Sequence, residues 1–207
     1  MSRVVVVLDY GSGNLRSAER ALQRAGAQVT VTDDLAAAAE ADGLVVPGVG
    51  AYAACMAGIH ELGAGPVIAE RVAAGRPVLG ICVGMQVLFE HGDEHGVVTK
   101  GLGLLPGAVT ALPARRLPHM GWNSVDPAPG STLFAGLAPD DRFYFVHSYG
   151  VVDPGPLHDS GAAVTTADHG VPFVAAVERG ALSAAQFHPE KSGDTGAALL
   201  RNWLGTL

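Results

Sequence analysis

A chain of 207 residues with 48% hydrophobic and 16% charged side chains has ample material for a buried core, which excludes a disordered polymer. The net charge is −7 and the 13 basic residues form no long run, which speaks against a nucleic-acid surface. Two cysteines make no disulfide framework, no apolar run spans a bilayer, and Met1-Ser-Arg leads into a strand without a signal segment, so the expectation is a soluble, cytoplasmic protein with no membrane partner.

The first half alternates strands and helices. Val4 to Leu8 is a continuous apolar run of strand length. Asn14 to Ala25 carries Leu15, Ala18, Ala21, Leu22 and Ala25 at a helical period, and Gly26 stops it. Gln28 to Thr32 reads as a strand, Leu35 to Ala41 as a short helix, and Gly43 to Val46 as a strand ended by Pro47. Helices are expected from Ala51 to about Ile59 and from Pro66 to Ala74, with Gly75 as the stop. Val78 to Ile81 is the fourth strand, and a helix is expected from Met85. Apolar strands separated by helices imply a parallel sheet covered on both faces.

The second half is richer in Pro and Gly. Strands are expected at Gly107–Leu112, Arg142–Val152, Ala162–Ala167, Phe173–Arg179 and Leu182–Phe187, the last two as a hairpin turning at Arg179-Gly180. Asp194 to Leu204 closes the chain as a helix, with Asp194 as its N-cap. With no repeat and no linker, the expectation is a single α/β domain over 1–207. Its central sheet is mixed and largely parallel, flanked by helices, with an antiparallel C-terminal extension.

Chemistry concentrates at Gly80-Ile-Cys-Val-Gly84, between the fourth strand and the following helix. This G-x-C-x-G layout is a nucleophile elbow with sulfur in place of oxygen. Gly80 and Gly84 permit the tight turn, and backbone N–H groups at a helix start favour the thiolate, the form that attacks a carbonyl carbon. A base must accompany it, and His188 in His188-Pro-Glu190 is the best placed of the histidines. An extended segment would put His188 and Glu190 on one face, so that Glu190 orients the ring. A surface loop that happens to carry both is the alternative reading of H-P-E by itself. Pro47-Gly-Val-Gly50 follows the third strand at the end of the sheet where ligands collect, and its amides offer an oxyanion hole with the N–H of Val83. A plain tight turn is the alternative there.

Taken together, these pieces resemble the class I, triad-type glutamine amidotransferases. Asp9-Tyr-Gly-Ser-Gly-Asn-Leu15, Pro47-Gly-Val-Gly-Ala-Tyr52, Gly80-Ile-Cys-Val-Gly-Met-Gln86, Pro118-His-Met-Gly-Trp-Asn123, Phe145-Val-His-Ser-Tyr149 and Gln186-Phe-His-Pro-Glu-Lys-Ser192 look like the glutaminase subunits of imidazole glycerol phosphate synthases, in the same order along nearly the whole chain. Tyr52 stands where Phe is more usual. The resemblance implies Cys82 as nucleophile, His188 as acid and base, Glu190 as orienter, and an oxyanion hole from Val49, Gly50 and Val83. It implies glutamine contacts at Gly48, Gln86, Glu94, His147, Ser148 and Tyr149; for Glu94 a solvated loop carboxylate is the competing reading. It implies no cofactor and no metal. It implies a (β/α)8-barrel cyclase partner, with Asn14, His119, Trp122 and Lys191 coupling the two sites, and ammonia passing to that partner in histidine biosynthesis.

Other signals carry less. Gly11-Ser-Gly-Asn14 lacks the third glycine of a dinucleotide loop. His91 and His95 flank Gly92, which suits a flexible loop better than a metal pair. Cys55, in an Ala-rich helix, reads as a small core residue. A stand-alone cysteine amidase or peptidase of similar fold, and a non-catalytic regulatory subunit, remain open as alternatives.

Overall fold

The structure, a computed structural model, describes residues 3–207. The chain begins β1 (Val4–Leu8), α1 (Leu15–Ala25), β2 (Gln28–Thr32), α2 (Leu35–Glu40), β3 (Gly43–Gly48), α3 (Tyr52–Leu62), α4 (Ala64–Ala73) and β4 (Val78–Cys82). It continues α5 (Val83–Gln86), β5 (Phe89–Glu94), β6 (Val97–Lys100), β7 (Leu105–Ala111), β8 (His119–Ser124), β9 (Arg142–His147), β10 (Tyr149–Gly150) and α6 (Gly155–Asp159). It closes with β11 (Ala163–Asp168), β12 (Pro172–Arg179), β13 (Leu182–Ala185), a 3-10 turn (Pro189–Lys191) and α7 (Gly193–Leu204).

Seven strands form the main sheet in the order β11-β12-β13-β4-β3-β1-β2. Those from β2 to β13 are mutually parallel, and β12 and β11 extend the sheet antiparallel. This is the mixed, largely parallel α/β architecture expected. Every residue of β3 and β4 is buried, the pattern of strands covered on both faces, whereas the edge strand β2 has no buried residue. Helix α1 packs on α7, and α4 packs on α2 and α3. The buried Arg71 of α4 donates to the carbonyls of Ala38, Ala39, Ala41, Asp42 and Pro77, tying the end of α2 to the start of β4. Helix ends follow local chemistry. Gly26 closes α1 at φ 109°, and the Asp34 carboxylate accepts from the N–H groups of Ala36 and Ala37 to open α2.

Several expected boundaries differ. Strand β3 runs through Pro47, because its pairing with β1 ends at Val45 while that with β4 continues to Gly48. The expected Arg142–Val152 strand breaks at Ser148 into β9 and β10, which join different sheets. Asp194 is not the N-cap of α7; Ser192 is, and Asp194 lies in the first turn, where its charge still suits the helix dipole. His91 and His95 belong to a hairpin rather than a loop. Strands β5 and β6 turn through His95 and Gly96, both at positive φ (55° and 76°), the geometry of a two-residue turn. That hairpin joins β7 and β10 in a second, four-stranded sheet, and β8 pairs with β9 as a separate ribbon.

Candidate active site

The polypeptide turns sharply where β4 ends. Cys82 sits at φ 57°, ψ −116°, a region that L-residues avoid at a cost of about 1–3 kcal/mol, and one that clusters at functional sites. The turn rests directly on β3. A Cβ added at Gly84 would lie 1.9 Å from the Val46 carbonyl oxygen, and one at Gly48 would lie 2.4 Å from the Gly84 nitrogen. The helix expected from Met85 is a single turn, Val83–Gln86, because the carbonyls of Val87 and Leu88 are taken by Leu102, Leu104 and Leu105 of the second sheet's approach. The field at Cys82 therefore comes from the first local N–H groups and not from a long helix.

His188 follows β13 by three residues, and its N–H donates to the Tyr144 carbonyl of β9. The segment after it is not extended, as the sequence suggested. It curls into the 3-10 turn, and the curl brings His188 Nδ1 to 2.7 Å from Glu190 Oε1. Ser192 pins the turn: its hydroxyl donates to the His188 carbonyl at 2.6 Å and accepts from the Tyr144 N–H at 2.9 Å. His188 and Cys82 are 2% and 4% exposed. Burial pulls the His188 pKa down, but hydrogen bonding and charge from the Cys82 sulfur and the Glu190 carboxylate outweigh it and raise it to about 9. The imidazole is thus held by the Glu190 carboxylate on one nitrogen, with the Cys82 sulfur among the groups that favour its charged form.

Cys82 and His188 line one cavity of about 250 Å³. Val49, Gly50, Val83, Gln86, Glu94, the segment from Val146 to Tyr149, and Lys191 complete its lining. Gly48 does not reach this cavity; it is the close-packed partner of the elbow. Val49 is held from behind. Its N–H donates to Ser12 Oγ at 3.2 Å, and its carbonyl accepts from Ser12 Oγ at 2.9 Å and from Cys55 Sγ at 3.4 Å. The Ser12 and Cys55 side chains are 3.2 Å apart, and burial pushes the Cys55 thiol up, which keeps its proton for donation. Both polar groups of Val49 are therefore engaged by Ser12 and Cys55.

Gln86 Nε2 donates to the Tyr149 carbonyl and to Gln186 Oε1, each at 2.9 Å. Glu94 is a strand residue, not a solvated loop carboxylate; one oxygen accepts from the Tyr52 N–H at 2.8 Å and caps α3. His147 Nδ1 donates to the same Tyr149 carbonyl at 2.9 Å, which leaves Nε2 to accept from His119 Nδ1 at 3.0 Å. Asn123 Nδ2 reaches His119 Nε2 at 3.3 Å and the Asp168 carbonyl at 2.8 Å, so every nitrogen of the two rings is used in the neutral form. Burial lowers both rings to a pKa of about 4, helped at His119 by His169.

The four residues expected to couple to a partner are thus placed differently from one another. His119 is buried, 4% exposed, and touches His147. Trp122 on the same strand is 54% exposed, and its ring lies 6.0 Å from Tyr144, whose ring in turn lies 6.0 Å from Nζ of Lys191, a residue of the cavity lining. Asn14 lines a small void with Gly48, Val49, His188 and Glu190. Residue-by-residue reading missed Ser12, Cys55 and Gln186 as parts of the site. Gln186 had a signal, since it precedes His188 by two residues and so shares its face of the extended chain. Ser12 had only a topological one: the loop after β1 lies beside the end of β3 once those strands pair.

The profile of the family described as glutamine amidotransferase class-I matches residues 6–206. The imidazole glycerol phosphate synthase subunit HisH of Mycolicibacterium paratuberculosis is 63% identical over 206 residues, covering 100% of this chain and 99% of that protein. The protein of the same name from Streptomyces avermitilis is 60% identical over 210 residues, covering 100% and 98%. Among solved structures, a putative GMP synthase component from Thermoplasma acidophilum superimposes with a TM-score of 0.73 at 21% identity, over 100% of this chain and 94% of that one, a likeness of fold. A crystal structure titled glutamine amidotransferase gives 0.76 at 21% identity over 97% of both chains. The chain belongs to the class-I glutamine amidotransferase family and, within it, to the relatives named imidazole glycerol phosphate synthase subunit HisH.

Proposed function

We propose that the chain, acting as one domain, is the glutaminase half of a cytoplasmic imidazole glycerol phosphate synthase. The observation that carries this reading is the His188–Glu190 contact of 2.7 Å beside Cys82 at a strained elbow, with the sulfur and the ring facing one cavity. Cys82 passes its proton to His188, and the thiolate attacks the side-chain amide carbon of glutamine. The carbon–nitrogen bond then breaks as His188 protonates the leaving ammonia. Water, deprotonated by the same ring, hydrolyses the thioester to glutamate. Glu190 holds the ring throughout.

The substrate oxyanion takes the Val83 and Gly50 amides, with Val49 as a further donor once its peptide turns from Ser12. Gln86, Glu94 and the backbone of His147, Ser148 and Tyr149 hold the amino-acid end of glutamine. Ammonia leaves toward a (β/α)8-barrel cyclase, which uses it to make imidazole glycerol phosphate and an aminoimidazole carboxamide ribotide. Exposed Trp122 and Met120, the aromatic track to Lys191, and Asn14 behind the triad support a docking face continuous with the site. His119 couples from within, through His147.

The test is Cys82→Ala in the reconstituted pair. Synthesis from glutamine should vanish while synthesis from added ammonia persists at the unmodified rate. Continued glutamine-dependent synthesis would contradict the assignment of Cys82.

A further inference from the structure

Gln186 lies between β13 and His188 and is 1% exposed. Its orientation is fixed by its neighbours. The Tyr149 carbonyl can only accept, so Gln86, which meets it at 2.9 Å, must present its amide nitrogen there. The same nitrogen meets Gln186 at 2.9 Å, so Gln186 must present its oxygen to Gln86. His147 anchors the arrangement by donating to that carbonyl as well. The Gln186 amide nitrogen therefore points the other way, toward Cys82 Sγ at 3.9 Å, its one hydrogen-bond partner among the described residues.

We propose that Gln186 is a catalytic residue: its amide N–H holds the Cys82 sulfur in the thiolate form that attacks the substrate. A neutral thiol is a weak acceptor, and the contact at 3.9 Å is long, as a hydrogen bond to a neutral sulfur would be. When the sulfur proton moves to His188, the S–H bond breaks, an N–H bond forms on the ring, and the negative charge stays on sulfur. The amide then gains a charge-assisted acceptor, and the bond shortens and strengthens. A buried amide with no other acceptor is otherwise left unsatisfied, so the environment as a whole favours the charged sulfur. Gln86 and Tyr149 act one step back, by denying Gln186 the flipped orientation in which its oxygen would face and repel the thiolate.

This inference rests on the reading of Cys82 as nucleophile, and its test separates the two. Iodoacetamide consumes the thiolate without needing glutamine or a partner. Its reaction with the isolated chain would be followed from pH 5 to 10, with the Cys82 and Cys55 peptides resolved by mass spectrometry. Gln186→Met removes the donor at nearly constant volume. Alkylation of Cys82 should slow about tenfold at pH 6, the profile should move up by about one unit, and the high-pH plateau should stay unchanged. Gln186→Glu, which replaces the donor with an acceptor, should move it further, and it serves as the reading if the Met variant fails to fold. Gln86→Met should shift the profile less, in the same direction. An unmoved profile in Gln186→Met or Gln186→Glu, or a rate lowered equally at every pH, overturns the role of Gln186 and leaves the nucleophile standing. Wild-type Cys82 whose rate at pH 6 is no larger a fraction of its own high-pH plateau than that of a free cysteine overturns the reading of the site itself.

Discussion

The Val49 N–H reaches Ser12 Oγ at 3.2 Å, and the Val49 carbonyl takes the same hydroxyl at 2.9 Å. A single side chain thus satisfies both groups of a residue that lines the same cavity as Cys82. Removing it would leave the peptide held there by the Cys55 thiol alone, 3.4 Å from the carbonyl, with its N–H unengaged and open to a substrate oxyanion. Ser12→Ala should therefore raise the partner-free rate of glutamine hydrolysis about tenfold with little change in KM, part of the roughly 10²–10³ that one oxyanion donor supplies. A lowered or unchanged kcat would contradict it. His147 illustrates a different cost. Burial holds its pKa near 4, below the ordinary 6.5. Its contribution to stability is complete above pH 6.5 and is lost as pH falls through about 4, with a magnitude on the order of 3 kcal/mol. Thermal melts between pH 7.5 and 4.5 should fall more steeply for the wild type than for His147→Phe; parallel slopes would show that the ring is not held neutral.

At the scale of elements, the elbow works because β3 lies directly beneath it. Gly84→Ala places a Cβ 1.9 Å from a backbone oxygen that cannot swing aside. It should destabilise the fold by about 3 kcal/mol and displace Cys82, measured as a lowered urea midpoint together with lost alkylation of that cysteine. Unchanged stability would mean that the turn does not rest on the strand. The strands that build this contact were legible in the sequence, since β1, β3 and β4 are apolar runs, almost wholly buried, with glycine or proline at or near the ends of β3 and β4. The second sheet was not. Phe89-Glu-His-Gly-Asp-Glu94 has no alternation because a register shift between Phe89 and His91 interrupts its pairing with β7, and its turn at His95-Gly96 uses a non-glycine residue at positive φ. The length of α5 was equally hidden, because Val-Gly-Met-Gln-Val-Leu-Phe is mostly apolar and such a run reads as helix or strand alike. Cys82, His188 and Glu190 stood out by motif, but the turn that joins the last two did not. Pro189 favours an extended His188, and the bend of the rest comes from backbone bonds of Lys191 to His188 and of Ser192 to Pro189, together with the Ser192 hydroxyl on the His188 carbonyl.

Across the whole molecule, one end of the parallel sheet carries the chemistry. The elbow, the Val49 segment and His188 all follow the C-terminal ends of adjacent strands, where open α/β sheets collect ligands. The β8–β9 ribbon leaves Trp122 and Met120 outside. From Asn123 on that ribbon, hydrogen bonds run through His119 to His147; His147 and Gln86 both donate to the Tyr149 carbonyl, and Gln86 leads on to Gln186 and the sulfur. Everything in this account depends on the sulfur becoming covalently bound to substrate. The direct measurement is acid quenching during glutamine turnover, followed by mass analysis of the peptide that contains Cys82. A glutamyl thioester should appear on Cys82 and disappear when glutamine is exhausted. Glutamate released at the full rate with Cys82 unmodified, and equally by Cys82→Ala, would contradict it.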